Sequence, residues 1–149
     1  MQEDPTPAFD RKFESTLENV STVVADLADY CLSEIDADAV GTDGVDSIEL
    51  SVCEALTNVV RHAYDGADSG MIDLHCQRQG DDFVVRLRDQ GKPIPSGLVT
   101  PPALPAEGLD LYDLPEGGMG VALIFELVDH VAYERFNGTN QLTLKRSVA

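Results

Sequence analysis

Six of the eight prolines in this 149-residue chain fall between Gly91 and Gly118, at Pro93, Pro95, Pro101, Pro102, Pro105 and Pro115. Proline lacks the amide hydrogen that helices and sheet ladders use, so no long regular element crosses this stretch. The core must therefore be built from the residues on either side. A structureless segment of this length inside one compact domain is expected to be a lid or a binding loop, and we place it at about 92–117.

Upstream of the prolines, Leu17, Val20, Val24, Leu27, Ala28, Cys31 and Ile35 recur at steps of three and four. That period gives an amphipathic helix, with Ser15 or Thr16 as its cap. The run DADAVGTDGVD, rich in aspartate and glycine, reads as a break, with a second helix expected from near Asp46 to about Tyr64. In that helix Ile48, Val52, Ala55, Leu56, Val59 and Ala63 share one face, and Glu54 and Asn58 another. After DGADSG the segments MIDLHCQRQ and FVVRLRD predict an antiparallel hairpin. Downstream of the prolines, GVALIFELVD predicts a third helix, and HVAYERF and QLTLKRS predict closing strands around NGTN.

The order strand, helix, helix, hairpin, loop, helix, hairpin segregates helices from strands. It indicates an α+β fold, a two-layer α/β sandwich with a mixed, mostly antiparallel sheet. One domain is expected over 11–149, and residues 1–10, MQEDPTPAFD, are expected to form a flexible acidic tail.

The formal net charge of −17 argues against direct binding to nucleic acid or anionic lipid, because such contacts rely on lysine and arginine. It favours basic partners, although an acidic surface also serves solubility alone. Cys31, Cys53 and Cys76 are far apart and make neither a disulfide framework nor a zinc site, so a reducing cytoplasm is the simplest compartment. The amino terminus has no apolar stretch of the signal-peptide type, and no apolar run reaches the length of a membrane span. A soluble protein is expected.

Three short segments have the residue types that chemistry needs. Glu54, Asn58 and His62 are spaced four apart along one helix and stack in a stripe, where a carboxylate can accept a proton and an amide oxygen can ligate magnesium. A solvated polar helix face would present the same stripe. Asp89, Gln90, Gly91, Lys92 and Pro93 stand where a strand ends: Asp89 can accept from an exocyclic amine, and Gly91 has no side chain to collide with a flat ring. Taken alone, these residues fit an ordinary strand-ending turn better. Glu116, Gly117, Gly118, Met119 and Gly120 open a helix, where backbone amides and the helix dipole favour an anion, and where glycines also serve as a flexible connection. There is no GxxxxGK[ST] loop and no GxGxxG after a strand.

In this order and at these separations, EALTNVVRHAY, DQGKPI and LPEGGMGVALIFELVDHVAYE resemble the N, G1 and G2 boxes of the GHKL superfamily of Bergerat-fold ATPases. The fit is to the anti-sigma factor serine kinases of the RsbW and SpoIIAB type, over roughly Leu17 to Arg146. The resemblance implies an ATP-binding sandwich with a mobile lid, using ATP or ADP and Mg2+. It implies Glu54 as general base toward a partner's serine and Asn58 as magnesium ligand, with Arg61 and His62 beside it. Asp89 is implied to bind the adenine amino group, bordered by Gly91, Pro93 and Ile94. The phosphates fall to Gly117, Gly118, Met119, Gly120 and Val121, and Thr139 is implied to support adenine through water.

One departure stands out. Some members have a basic residue shortly before the phosphate-box glycines, where this chain has Glu116 after Pro115; the expected lid offers only Lys92 near its start, and Arg61 beside Asn58 reads equally as a substitute or as a surface arginine. The implied activity is that of an anti-sigma factor that sequesters a sigma factor and phosphorylates an anti-anti-sigma partner with a STAS domain. A homodimer is implied as well. Two further readings stay open: a non-catalytic nucleotide-binding module that sequesters a regulator, and an ATPase that transfers phosphate to water.

Overall fold

The computed structural model describes residues 8–34, 37–64, 70–93, 124 and 126–147, with side chains for all of these except 37–43. Among these residues five strands form one sheet: β1 (Phe9–Glu14), β2 (Met71–Gln79), β3 (Asp82–Asp89), β4 (His130–Phe136) and β5 (Thr139–Ser147). Their order across the sheet is β1-β2-β3-β5-β4, and every neighbouring pair is antiparallel.

Alternation builds the sheet. Ile72, Leu74 and Cys76 of β2 and Phe83, Val85 and Leu87 of β3 point to the buried side, and Leu144 continues the layer on β5. Tight turns set the registers. Gly80 takes a φ of 63° between β2 and β3. Between β4 and β5, Asn137 and Gly138 have φ of 51° and 79°, the pair of positive values that a two-residue hairpin turn requires. That turn pairs Phe136 with Thr139 and Arg135 with Asn140. The expected NGTN turn is thus narrowed to its first two residues.

Among the described residues the buried face is covered by α1 (Leu17–Glu34) and α2 (Ala37–Asn58). At the start of α1, Thr16 Oγ1 accepts from the amide of Asn19 at 3.1 Å, the cap that the sequence leads one to expect. Val20, Val23, Val24, Leu27 and Cys31 of α1 meet Val45, Ile48, Val52, Ala55 and Leu56 of α2 over the strands in one core.

Two expectations need correction. First, α2 begins at Ala37, not near Asp46. Glycine inside a helix costs about 1 kcal/mol relative to alanine, and Gly41 and Gly44 made a break the natural reading. Burial of Val45, Ile48 and Val52 along the same helix offsets that cost. Second, β1 starts at Phe9, so Phe9 and Asp10 belong to the sheet and not to the tail. Phe9 is buried against Tyr30 of α1 with ring centroids 5.5 Å apart, and the Arg11 guanidinium lies 4.4 Å from its ring centroid. One buried aromatic and six backbone pairings to β2 outweigh the polar composition of the segment.

Of the expected third helix, Ile124, Glu126 and Leu127 are helical, and Ile124 is buried in the core. The rest of that helix and the loop from Ile94 onward lie outside the described residues. Among the described residues no helix is long and apolar enough to cross a membrane.

Candidate nucleotide site

The carboxyl end of β3 carries a polar row on the helix-facing side of the sheet. Register pairs Asp89 with Asn140 on β5, and Asn140 with Arg135 on β4. Asp89 and Asn140 are 6% and 2% exposed, and burying such groups costs free energy unless they are hydrogen-bonded. They bond each other. Asn140 Nδ2 donates to Asp89 Oδ1 at 2.9 Å, and the amide of Gly91 donates to the same oxygen at 2.9 Å. Among the described residues, hydrogen bonds to Asp89 reach only Oδ1. The second oxygen, Oδ2, keeps its capacity to accept.

Asn140 is fixed in turn. Its Oδ1 accepts from Tyr133 Oη at 2.8 Å and from Arg135 Nη1 at 2.7 Å. Its Nδ2 also lies 3.1 Å from the carbonyl oxygen of Gly91 and 3.2 Å from that of Lys92. Arg135 Nη1 donates to the Gly91 carbonyl as well, at 3.1 Å. Both carbonyls at the start of the proline-rich loop are therefore held from β5.

The end of α2 meets this row. After Asn58 the helix widens into a π-helical turn, Val59–Ala63, closed by a bond from the Tyr64 amide to the Val59 carbonyl at 3.2 Å. Such turns are rare and occur often at functional sites. The Lys92 amide donates to the Ala63 carbonyl at 2.8 Å, joining the first and second segments directly. Gly91 is glycine for this contact: a Cβ there would stand 2.4 Å from the Ala63 carbonyl oxygen. The open side of Gly91 is thus taken by the helix end. Tyr64 adds a staple, donating to the Met71 carbonyl and accepting from the Gln90 amide, each at 2.8 Å.

Glu54 and Asn58 are half-buried on α2, while Arg61 and His62 are exposed on the π-helical turn. His62 does not extend the Glu54–Asn58 stripe with α-helical spacing, because the wider turn intervenes. Pro93 is exposed. Ile94, Gly117, Gly118, Met119, Gly120 and Val121 lie outside the described residues, as does Glu116. Thr139 and Asn140 are adjacent on a strand and point to opposite faces, and it is Asn140 whose side chain reaches Asp89. Composition gave no hint of Asn140, Tyr133, Arg135 or Tyr64. The Asn-Gly dipeptide was the available signal for the first three, because it fixes the turn and hence the register.

A cavity of about 680 Å3 opens on the other face of the sheet, with Lys12, Asp73, Arg88, Asp89, Glu134, Thr139 and Gln141 in its lining. Neither Glu54 nor Asn58 lines it, so it is not the cleft expected between helix and strand ends. Among the described residues no group of three or more His, Cys, Asp or Glu side chains could hold a metal unaided.

A family model described as the histidine kinase-like ATPase domain matches residues 13–146. A serine-protein kinase RsbW of Halalkalibacterium halodurans is 34% identical over 97 residues, 64% of this chain and 59% of the relative. One of Staphylococcus epidermidis is 30% identical over 105 residues, 69% of this chain and 66% of the relative. The chain therefore spans 59–66% of the length of these curated relatives. Among solved structures, that of the RsbU and RsbW domains of a Mycobacterium tuberculosis protein superposes with a TM-score of 0.62 at 18% identity, covering 97% of this chain and 33% of that one. The histidine kinase domain of an Erythrobacter litoralis blue-light activated histidine kinase gives 0.52 at 15% identity, covering 89% and 60%. Identities this low speak to the fold, and the fold agrees with the family match. With three segments in the order of a nucleotide site, two of them in contact, and a match across nearly the whole length, the chain belongs to the histidine kinase-like ATPase domain family.

Proposed function

We propose that the chain is an ATP-dependent anti-sigma factor and serine-protein kinase, which holds a sigma factor inactive and phosphorylates a serine of an anti-anti-sigma partner with a STAS domain. The observation that carries the kinase reading is its 34% identity to a protein named serine-protein kinase RsbW. The geometry supports the nucleotide part: Asp89 is buried, held through one oxygen, and able to accept an amine through the other.

In this reading Asp89 binds the exocyclic amine of adenine, with Gly91, Pro93 and Ile94 beside the ring. Asn140 takes the supporting place expected of Thr139. Glu54 takes the proton of the attacking serine hydroxyl as its oxygen bonds to the terminal phosphorus and ADP leaves. Asn58 offers an amide oxygen to magnesium, with Arg61 and His62 on the next turn toward the phosphates. A hard cation of this size draws most of its ligands from phosphates and water, so one protein oxygen is a sufficient anchor. The amides of 117–121 are assigned to the phosphates. A cytoplasmic homodimer is part of the proposal.

The phosphoryl group adds roughly two negative charges to the product at neutral pH, and a surface of net charge −17 disfavours rebinding it. Incubation with magnesium ATP and the STAS-domain partner should yield phosphoserine. Glu54→Ala should abolish that signal while ADP binding persists. Wild-type protein that binds nucleotide yet yields no phosphoserine would favour the non-catalytic sequestering module, for which Glu116 in place of a basic residue is the supporting feature. Inorganic phosphate as the product would point to transfer to water.

A further inference from the structure

We propose that Asn140 is the positioning residue that aims Asp89 at its ligand, and that Arg135 sets the orientation in which Asn140 does so. The inference rests on the reading of this site as one for an adenine nucleotide and names what makes it selective for the amine.

A carboxylate left to itself presents two equivalent acceptors and rotates between them. Here Asp89 Oδ1 receives two donors, the Asn140 side-chain amide and the Gly91 backbone amide, both at 2.9 Å. That fixes the carboxylate plane and leaves Oδ2 to accept from a ligand donor. Asn140 can do this in only one of its two amide orientations. A flipped amide would set its oxygen against Asp89 Oδ1 and the carbonyls of Gly91 and Lys92, all of them acceptors. It would also turn its NH2 toward Arg135, which can only donate, at 2.7 Å. Four of its five contacts therefore specify one orientation, in a side chain that is 2% exposed, and the Tyr133 hydroxyl donates to the oxygen so placed.

The same amide touches the carbonyls of Gly91 and Lys92, the first residues of the proline-rich loop. The acceptor and the base of the loop thus share one anchor, and Arg135 reinforces it through its own bond to the Gly91 carbonyl at 3.1 Å. Fixing an acceptor before the ligand arrives removes an ordering cost from binding and so favours a ligand that carries the matching donor.

The test is calorimetric titration with ADP and with inosine diphosphate, in which an oxo group replaces the amine. Wild type should prefer ADP. Asn140→Ala should weaken ADP binding about tenfold, the loss of one charge-assisted hydrogen bond, and change inosine diphosphate binding far less, so that the ratio of the two collapses. Arg135→Gln, at an exposed position on edge strand β4, should lower the ratio in the same direction and decides the matter should Asn140→Ala fail to fold. An unchanged ratio in the folded variants, or equal weakening of both nucleotides, would overturn the proposal and leave nucleotide binding itself standing. Absence of ADP binding by the wild type would remove both.

Discussion

Gly91 shows how a single atom couples two parts of the site. A Cβ there would stand 2.4 Å from the Ala63 carbonyl oxygen and 2.6 Å from its carbon, and both atoms are backbone. Gly91→Ala should therefore push the loop base from the helix end and cost about 1–3 kcal/mol of stability, as other overpacked sites do, read as a lower midpoint in urea. Cys31 is a second case. Burial, with a smaller push from the Glu49 charge, raises its thiol from the ordinary value of 9.0 to about 12. Between those values the unfolded chain gives up this proton and the folded one keeps it. Stability should then be intact below pH 9 and fall toward pH 12 by about 1.4 kcal/mol per unit for this group. Cys31→Ala should flatten that decline in denaturation curves taken across the window. The sequence showed Asp89 because an aspartate ending a strand before glycine is a local pattern. It could not show Asn140, whose role arises from a cross-strand pairing 51 residues away.

At the scale of elements, strong periodicity was legible and its exceptions were not. Helix α1 and the two hairpins follow from apolar spacing and from Asn-Gly and Gly-Asp turns. The expected order opens on a strand but does not place it, because the alternation of β1 is carried by Phe9 and Phe13 among charged residues, and it forms by pairing with β2. The early start of α2 was hidden by glycine, and the π-helical turn by the absence of any residue signature for an i to i+5 bond. The β4–β5 turn is the element on which the polar row depends. Gly138, at a φ of 79°, should resist substitution: Gly138→Ala is expected to cost about 1–2 kcal/mol, the penalty of placing a Cβ in the left-handed region. If the register of Arg135 and Asn140 loosens with it, ADP binding should weaken in the same variant. Equilibrium unfolding and titration on one preparation check both.

Among the described residues one sheet face lies under α1 and α2, and Glu54, Asn58 and Asp89, the groups proposed for catalysis and ligand binding, stand toward the end where α2 and β3 finish. Its charge of −17 bears on partners and stability together. Mutual repulsion among the carboxylates is screened over about 8 Å at physiological salt, so the thermal midpoint should rise between low and physiological ionic strength. Binding of a basic sigma-factor segment should weaken over the same range. In the proposed reading a nucleotide approaches this acidic surface with its own negative charge, so magnesium should tighten its binding. On the same proposed reading Asn58 and the Asp89 row, joined through Ala63, Gly91 and Lys92, serve one purine nucleotide. Titration of ADP into wild type and Asp89→Ala, with and without magnesium, tests it most directly. One saturable site per chain is expected, tighter with magnesium, and weakened about tenfold or more by the substitution. Saturable binding that ignores both magnesium and Asp89, or no binding at all, would contradict it.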